Sequence, residues 1–275
     1  LLQLVYYFGT NGFSFFVILI FLFPVSIYLF FNKNSFSFMI LNFFIFSILI
    51  AFLLVILRLN SINEDSDLHL NLSINQLNIS QSDKIKNNTK LDERIDELLQ
   101  LIKKNKNTIH IFSETDYPFI INNHNIVNFF QKNLSNNNSI VIGGIRKDGK
   151  NFFNTLYYIS ENNFNFFDKK ILVPFGEFLP FRKQLKFLEN IVGESDFQKG
   201  KNNRIIKTDY NFDFVPVICY EIIFFNNLLN KLNILSPLLI NITNDAWFGS
   251  FSGPYQHFYL SRIRTVEFNK SLIRG

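Results

Sequence analysis

The sequence predicts an α/β catalytic unit joined to a pair of apolar helices long enough to cross a membrane. Two uncharged runs lie near the N-terminus, and the composition becomes polar at about Asn60. From there, short runs rich in β-branched residues alternate with helical patterns, which is typical of an α/β fold. A chain of 275 residues is long enough to bury one sizeable core in addition to such helices.

The two uncharged runs cover residues 13–31 and 35–57. Each is close to the roughly 20 residues that cross a bilayer, and a short polar break between them indicates a helical hairpin. Pro24 is tolerated in a membrane helix, and the alternative is a pair of buried helices in a soluble domain. Lys33 and Arg58 barely discriminate between the two orientations in the membrane.

Charge and cysteine usage exclude several classes of function. The net charge is +5, but charged residues make up only 18% and the cations are scattered, which does not fit a nucleic-acid-binding protein. A basic, aromatic-rich chain fits an anionic lipid surface better. A single cysteine excludes an internal disulfide and a cysteine-based zinc site, and the four histidines lack metal-ligand spacing. We therefore expect no metal and no cofactor.

The part from residue 60 to 275 is predicted to form the α/β domain, with residues 1–59 as the membrane region. Its predicted strands are residues 68–74, 108–112, 139–145, 154–159, 212–218 and 237–242. Its predicted helices are residues 83–104, 181–191, 222–232 and 256–267. Because the chain begins at Leu1 rather than Met and breaks off at Gly275 without a terminating signal, we expect it to be an internal part of a longer protein, truncated at its C-terminal end.

Three reactive side chains follow predicted strands: Glu114, Lys169 and Cys219. Strand ends at one edge of a sheet are where α/β proteins assemble sites. A carboxylate can accept a thiol proton, a cysteine can attack a carbonyl, and an ammonium can stabilise the oxyanion. A strand-to-helix junction favours a thiolate through amide groups and the helix dipole. Taken singly, each residue has a structural alternative: a solvated loop carboxylate, a charged turn and a buried structural cysteine.

Long motifs around these residues resemble a known family. The run 167–180 (FDKKILVPFGEFLP) and the run 217–221 (VICYE) resemble the lysine and cysteine motifs of the nitrilase superfamily. The runs 241–249, 253–257 and 262–267 resemble the signature that follows the cysteine. The LVPFGE form of the lysine motif resembles the form typical of the apolipoprotein N-acyltransferase family. The resemblance covers nearly the whole chain and implies a nitrilase-like α-β-β-α sandwich attached to transmembrane helices.

The resemblance also implies catalytic roles. Glu114 would be the general base, Lys169 the cation that stabilises the oxyanion, and Cys219 the nucleophile. In one respect the sequence departs from the family pattern, because Ser113 stands where the family usually has proline before the glutamate. That departure weakens the assignment of the base.

Four further residues receive supporting roles from the resemblance. Glu177 and Glu221 would hold the lysine and the geometry of the site, and plain structural salt bridges are the alternative for both. Tyr220 and Trp247 would shape the entrance for acyl chain and lipid, and core packing is the alternative.

The implied reaction is a ping-pong acyl transfer. Cys219 would take an acyl chain from a membrane phospholipid as a thioester and pass it to the N-terminal diacylglyceryl-cysteine of an apolipoprotein. The resemblance further implies a monomeric multi-pass protein of the bacterial inner membrane, with its catalytic domain on the periplasmic side and no nucleic-acid partner. Lipid substrates also account for apolar residues at predicted loop tips: Phe175, Phe178, Phe181, Trp247, Phe248 and Phe251.

Three alternatives stay open at this point. A nitrilase-type amidase would use the same three residues on a small amide with water as acceptor. A membrane-anchored pseudoenzyme would bind lipoproteins without turnover. Papain-like chemistry would pair Cys219 with His257 instead of Glu114 and Lys169.

Overall fold

The computed structural model describes residues 1–31, 35–61, 70–77, 90–189, 195–210, 212–249 and 251–275. The chain divides into two compact units. The first comprises Leu1–His69 with Arg262–Lys270, and the second comprises Leu70–Ser261 with Ser271–Gly275. The residues of each unit contact mainly other residues of the same unit.

Two long apolar helices dominate the first unit: α1 (Leu4–Phe31) and α2 (Ser35–Ser61). Helix α1 begins before the predicted run, has a non-helical residue at Gly9 and contains Pro24. Both helices are long and apolar enough to cross a membrane, with mean hydropathies of 2.5 and 3.0, and only 6% of each apolar window is buried. Since a core helix of a soluble domain would be mostly buried, the exposed apolar surface fits a lipid environment better.

Polar contacts tie the ends of these helices to the last part of the first unit. Glu267 accepts hydrogen bonds from the backbone N–H of Thr10 at 3.0 Å and pairs with Arg264. The Arg58 side chain donates to Asn269 and stacks over the Tyr6 ring at 4.0 Å.

The second unit contains two sheets. The strands of the first sheet are β1 (Leu72–Ile74), β2 (Ile109–Ile111), β3 (Ile120–Ile121), β4 (Ser139–Asp148), β5 (Asn151–Ser160) and β6 (Phe164–Asp168). Their order is β1-β2-β4-β5-β6, with β3 paired to β4. Strands β1, β2, β3 and β4 pair in parallel, whereas β4, β5 and β6 form an antiparallel meander.

The strands of the second sheet are β7 (Ile206–Lys207), β8 (Asp213–Ile218), β9 (Leu238–Ile242) and β10 (Ser271–Arg274). Their order is β10-β9-β8-β7. Strands β8, β9 and β10 are parallel, and β7 pairs antiparallel to β8.

The core consists of two apolar clusters on opposite faces of the first sheet. Alternation along β4 sends Val141 into one cluster and Ile142 into the other. The first cluster joins the two sheets, because Val141 shares it with Phe214 and Ile240. The second packs the sheet against helices α3 (Lys90–Lys103) and α4 (Asn123–Asn133). Two stacked sheets with helices outside them confirm the predicted α/β class.

Helix α5 (Gly253–Phe268) supplies a further contact to the second sheet. Its first half belongs to the second unit, where the buried side chains of His257 and Ser261 meet groups at the carboxyl ends of the strands. The predicted helix over residues 256–267 lies within α5.

Two predicted helices differ from the structure. Residues 222–232 form only the 3₁₀ helices Cys219–Ile223 and Phe225–Asn227, with turns after them. Asparagine side chains compete with helical hydrogen bonds there: Asn230 accepts from the Leu232 N–H at 2.8 Å, and Asn233 accepts from the Asn230 N–H at 2.8 Å. The predicted helix 181–191 is turns and a 3₁₀ helix at Lys186–Leu188, and its end lies outside the described residues.

Five elements were not predicted from the sequence: β3, α4, β6, β7 and β10. Helix α4 has a local start signal, since the Asn122 side chain accepts from the Asn125 N–H at its N-terminus. Strands β4 and β5 run longer than predicted, because they form one continuous hairpin from Ser139 to Ser160. The beginnings of the predicted strand 68–74 and helix 83–104 lie outside the described residues.

Candidate active site

The three residues predicted to carry the chemistry line one cavity of about 590 Å³. Glu114 follows β2 after a short turn, Lys169 directly follows β6, and Cys219 directly follows β8. These strands come from both sheets, so the cavity lies where strands of the two stacked sheets end. Glu114 and Cys219 lie beyond predicted strands, whereas Lys169 follows β6, a strand that was not predicted.

Lys169 lies between two carboxylates. Its ammonium Nζ is 2.9 Å from Glu177 Oε1 and 3.2 Å from Glu114 Oε1, and its side chain is 1% exposed. Burial alone would lower the pKa of Lys169, but the two carboxylates outweigh burial and raise that pKa well above its usual range. The two carboxylates therefore favour the charged form of Lys169 in its buried position.

Glu114 is held as a carboxylate by its neighbours. Asn154 on β5 donates to Glu114 Oε1 at 2.7 Å. Burial alone would raise the pKa of Glu114, but the charge of Lys169 and hydrogen bonds from Asn154, Cys219 and Lys169 lower it below its ordinary value.

A glycine in β4 makes room for the turn that carries Glu114. A Cβ atom on Gly143 would lie 2.5 Å from the backbone nitrogen of Thr115 and 2.7 Å from Glu114 Cα, far inside van der Waals contact. Thr115 itself has a φ of 56°. Gly143 therefore permits the close approach that positions Glu114.

Asn154 joins the two carboxylates and was missed by the sequence analysis. Its amide Nδ2 is 2.7 Å from Glu114 Oε1 and 2.7 Å from Glu177 Oε1. It therefore donates to the same two oxygens that Lys169 contacts. A polar residue in an otherwise apolar strand was the available signal, but an isolated asparagine in an asparagine-rich chain carries little information.

Cys219 is a buried, protonated thiol at rest. Burial and the charge of Glu114 raise its pKa to about 12, although Lys169 and a hydrogen bond from Thr243 act in the opposite direction. The expected helix-dipole preference for thiolate is wrong here, because the element after β8 is a five-residue 3₁₀ helix rather than an α-helix. A protonated thiol needs a base in contact with it, and Glu114 accepts its hydrogen bond.

Glu177 is fixed by the loop of the LVPFGE run. Its Oε2 accepts from the Val173 N–H at 2.8 Å, while its Oε1 contacts Lys169. The loop closes on itself through the Phe175 N–H, which donates to the Phe178 carbonyl at 2.8 Å. Glu177 thus connects Lys169 to the backbone of the loop, as a residue that holds the lysine must do.

Glu221 is fully buried and makes a two-point ion pair with Arg204, at 2.7 and 2.9 Å. It also accepts from the N–H groups of Lys170 at 2.8 Å and Ile218 at 3.0 Å. Burial alone would raise the pKa of Glu221, but Arg204 and the backbone donors lower it. Glu221 therefore connects the backbone next to Lys169 with the backbone next to Cys219, because it accepts from the N–H groups of Lys170 and Ile218. Its partner Arg204 had no recognisable sequence signal.

Aromatic side chains line the rest of the cavity. Tyr220 is half-buried there and packs edge-on against Phe224, with ring centroids 4.9 Å apart. Phe175 and Phe248 also line it. The side chain of Trp247 lies outside the described part of the structure, so its role stays a prediction.

Most of the predicted apolar loop tips are exposed to solvent. Phe181 and Phe251 are 77% and 83% exposed, Phe175 is 53% exposed, and Phe178 is half-buried. Such exposed aromatic residues are typical of surfaces that meet lipid or partner proteins.

His257 lies near the cysteine in a different arrangement from that of papain. Its Nδ1 contacts Asp245 Oδ1 at 2.8 Å, and its Nε2 contacts the backbone carbonyl of Cys219 at 3.2 Å. The sulfur instead has hydrogen bonds with Glu114 and Thr243. The described residues contain no group of three or more histidine, cysteine, aspartate or glutamate side chains suited to a metal ion.

Named relatives are similar to a large part of the chain. The chain is 40% identical over 149 residues to apolipoprotein N-acyltransferase of Rickettsia typhi, covering 51% of this chain and 30% of that protein. It is 34% identical over 216 residues to apolipoprotein N-acyltransferase of Wigglesworthia glossinidia brevipalpis, covering 74% of this chain and 43% of that protein. The chain therefore spans less than half the length of these curated relatives.

Solved structures resemble the chain with low sequence identity. Nit3 of Saccharomyces cerevisiae, a member of branch 10 of the nitrilase superfamily, matches with a TM-score of 0.49 and 18% identity over 75% of each chain. An amidase from Nesterenkonia sp. matches with a TM-score of 0.49 and 13% identity over 77% of each chain.

The family of the chain follows from a match to a protein-family profile. Residues 72–273 match the profile described as carbon-nitrogen hydrolase. This match covers most of the chain, from β1 to β10, and includes the glutamate, the lysine and the cysteine that meet in the cavity. The chain therefore belongs to the carbon-nitrogen hydrolase family.

Proposed function

We propose that the chain carries the catalytic unit of an apolipoprotein N-acyltransferase, which moves an acyl chain from a phospholipid to the N-terminus of a lipoprotein. The observation that carries this proposal is the contact of Glu114, Lys169 and Cys219 in one cavity. Relatives that bear this name and a pair of helices long enough to cross a membrane support the choice of lipid substrates.

In the first half-reaction, Cys219 Sγ attacks the sn-1 ester carbonyl of the phospholipid. The thiol proton passes to Glu114, which already accepts the S–H hydrogen bond. Negative charge develops on the carbonyl oxygen, and Lys169 supplies a buried cation for it. Collapse breaks the ester C–O bond, and Glu114 returns the proton to the departing lysophospholipid. The products are a thioester on Cys219 and the lysolipid.

In the second half-reaction, the α-amino group of a diacylglyceryl-cysteine attacks the thioester carbonyl. Glu114 accepts a proton from that amine and returns it to the departing sulfur of Cys219. The acceptor gains an amide bond, and the thiol is restored. Glu114 therefore alternates between base and acid in each half, which requires a carboxyl group that stays in contact with the sulfur.

Phospholipid recognition is assigned to the charged and aromatic parts of the cavity. Arg94 on α3 lines the cavity and has no ion pair or hydrogen bond with the described residues, so its guanidinium is available to the phosphate diester. Tyr220, Phe175 and Phe248 provide apolar contact for the acyl chain. Glu177 and the pair of Glu221 with Arg204 keep the lysine and cysteine loops in place.

The proposal places the chain in the bacterial inner membrane as part of a monomeric, multi-pass protein with this unit on the periplasmic side. Two apolar helices and exposed aromatic loop tips support contact with lipid. Nucleic acid has no role in the proposed reaction.

Mass spectrometry tests the proposal directly. The full chain is reconstituted in vesicles of phosphatidylethanolamine, and the peptide that contains Cys219 is analysed for a fatty acyl thioester. We expect an acyl adduct that hydroxylamine releases and that a Cys219→Ala variant lacks. Addition of a diacylglyceryl-cysteine peptide must then move the acyl chain to the peptide amine.

Other outcomes would favour the alternatives. Release of ammonia from small amides, with no acyl thioester, would identify an amidase. Binding of lipopeptide without a thioester, and with unchanged binding after Cys219→Ala, would identify a pseudoenzyme. Loss of thioester formation in His257→Ala but retention in Lys169→Ala would identify papain-like chemistry.

A further inference from the structure

A buried polar network lies behind the nucleophile, on the side of the second sheet. His257 on α5 is 2% exposed, and its two ring nitrogens contact Asp245 Oδ1 at 2.8 Å and the Cys219 carbonyl oxygen at 3.2 Å. Asp245 is itself held by the Thr243 hydroxyl at 3.2 Å and by a salt bridge to Arg274. None of these contacts reaches the cysteine sulfur through His257, so the mechanism above leaves the histidine without a role.

The direction of the hydrogen bond to Cys219 follows from chemistry. A carbonyl oxygen only accepts hydrogen bonds, so Nε2 of His257 must carry the hydrogen. In a neutral ring, Nδ1 is then an acceptor and Arg274 donates to it at 3.2 Å, whereas in a charged ring Nδ1–H donates to Asp245 Oδ1 at 2.8 Å. Either contact fixes the orientation of the ring.

A second donor holds the same carbonyl oxygen. Asn241 Nδ2 is 3.4 Å from the Cys219 carbonyl oxygen and 3.2 Å from that of Val217. Arg274 connects the two donors, because it pairs with Asp245 and also donates to Asn241 Oδ1 at 3.2 Å. The carbonyl of Cys219 is therefore fixed by two side chains that one arginine holds in place.

Cys219 needs such a hold because its backbone is strained. Its φ is +48°, in the left-handed region that residues with a Cβ atom rarely adopt. That conformation turns the side chain towards Glu114 and Lys169 at the end of β8. Since the peptide group is planar and trans, fixing the carbonyl of Cys219 also points the N–H of Tyr220 away from His257.

We propose that His257 is a positioning residue for the nucleophile: its Nε2–H holds the Cys219 carbonyl and thereby keeps the sulfur against Glu114. The expected effect on acyl transfer rests on the proposed function, whereas the effect on the reactivity of the sulfur does not. His257 therefore acts on the rate of thioester formation and leaves the binding of phospholipid unchanged.

Two variants separate the hydrogen bond from packing. His257→Phe keeps a buried ring and removes the donor, whereas His257→Gln can place an amide N–H on the carbonyl. His124→Phe is the matched control, because His124 is exposed on α4 and its side-chain partner among the described residues is Asn128, one turn along the same helix. All variants are made in the full chain in phospholipid vesicles, and the folded fraction is measured by circular dichroism.

Thioester formation and alkylation of Cys219 by iodoacetamide provide two readouts. We expect His257→Phe to reduce kcat for thioester formation roughly 10- to 100-fold with KM for phospholipid unchanged, as for a misplaced reacting group. We also expect the pH midpoint of alkylation to fall, because the sulfur moves away from Glu114, whose carboxylate raises the pKa of the thiol. His257→Gln restores most of both properties, and His124→Phe changes neither.

Two results would overturn the positioning role, and a third would separate it from the proposed acyl transfer. Wild-type kcat and an unmoved alkylation profile in His257→Phe would overturn the positioning role. Equal losses in His257→Phe and His257→Gln that follow the folded fraction would show that the histidine only packs. If wild type forms no thioester while the alkylation profiles still differ as expected, the positioning role stands and the proposed acyl transfer fails.

Discussion

Replacing Glu114 with glutamine should separate the reactivity of the thiol from catalysis, because the two change in opposite directions. The carboxylate is a base for the attack, but its charge also raises the pKa of Cys219. The amide introduced by Glu114→Gln keeps the shape of the side chain and removes both effects. We expect acyl transfer to fall while alkylation of the sulfur becomes faster at neutral pH.

The structure sets the size of both changes. With a thiol pKa of about 12, only about one molecule in 10⁵ carries a free thiolate at pH 7, and forming it costs roughly 7 kcal/mol. Contact with a general base avoids most of that cost, and such a base typically contributes 10²- to 10⁴-fold to the rate, or about 3–5 kcal/mol. Loss of the charge of Glu114 leaves Lys169 as the nearest charge acting on the sulfur, and Lys169 lowers its pKa.

The assay combines thioester formation from phospholipid with iodoacetamide alkylation between pH 6 and pH 10.5. Because thiolate is the reactive form, the wild-type alkylation rate should still be rising at the upper limit, and the Glu114→Gln profile should lie at lower pH. Glu177→Gln is the matched control. Glu177 contacts Lys169, but it is not among the main groups that shift the pKa of the Cys219 thiol. A Glu114→Gln profile at the wild-type position or above it, or thioester formation within threefold of wild type, would refute this reasoning.

Three further predictions concern Arg204, Asn154 and Arg94. Arg204→Met should destabilise the chain by about 3–5 kcal/mol in urea unfolding, because it leaves Glu221 buried without its cation; a loss below 1 kcal/mol, or no recovery with Glu221→Leu added, would contradict this. Asn154→Leu should slow thioester formation roughly 10- to 100-fold at similar KM, since a hydrogen bond to a charged group contributes about 1.5–3 kcal/mol; stopped-flow or quenched kinetics would show it, and an unchanged kcat would oppose it. Arg94→Ala should raise the KM for phospholipid about tenfold with little change in kcat. Lys103 is exposed on the same helix, and Lys103→Ala should change neither constant. If the two variants raised KM equally, Arg94 would not be the residue that binds the phosphate.

Local patterns predicted the parts of the site that one strand and its following loop determine. β-Branched runs located β8 and β9, and polar residues after them marked where side chains could meet. The motifs at Lys169 and Cys219 are contiguous, so their recognition needed no knowledge of the fold. Glu114 stands after a short strand, and Ser113 in place of proline did not prevent its placement against Lys169.

The contacts that complete the site are distant in sequence and could not be predicted from local patterns. Arg204 reaches Glu221 across a stretch with no motif, and Asn154 reaches Glu114 from another strand. Both are buried polar residues whose partners are fixed by the stacking of the sheets. In a chain this rich in asparagine and lysine, neither residue type distinguished them from surface positions.

The pKa of the thiol was predicted in the wrong direction for a related reason. A strand-to-helix junction suggested a thiolate, but residues 219–232 form short 3₁₀ helices and turns, in which asparagine side chains take part, and no α-helix. Burial and a nearby carboxylate then determine the pKa of Cys219. Both are properties of the packed unit, so the local sequence contained no measure of them.

Charge conservation explains why two carboxylates surround one lysine. At rest the buried groups are two carboxylates, one ammonium and a neutral thiol, with a net charge of −1. When Cys219 attacks, Glu114 becomes neutral and the substrate oxygen becomes negative, so the net charge of the group does not change. Lys169 keeps Glu177 as a partner throughout and exchanges Glu114 for the oxyanion, which means that no uncompensated charge appears in the cavity. With Glu114 alone, the oxyanion would be the one anionic partner of Lys169 while Glu114 holds the proton. The second carboxylate, Glu177, therefore keeps Lys169 in place during each tetrahedral intermediate, until Glu114 returns the proton and is again a carboxylate.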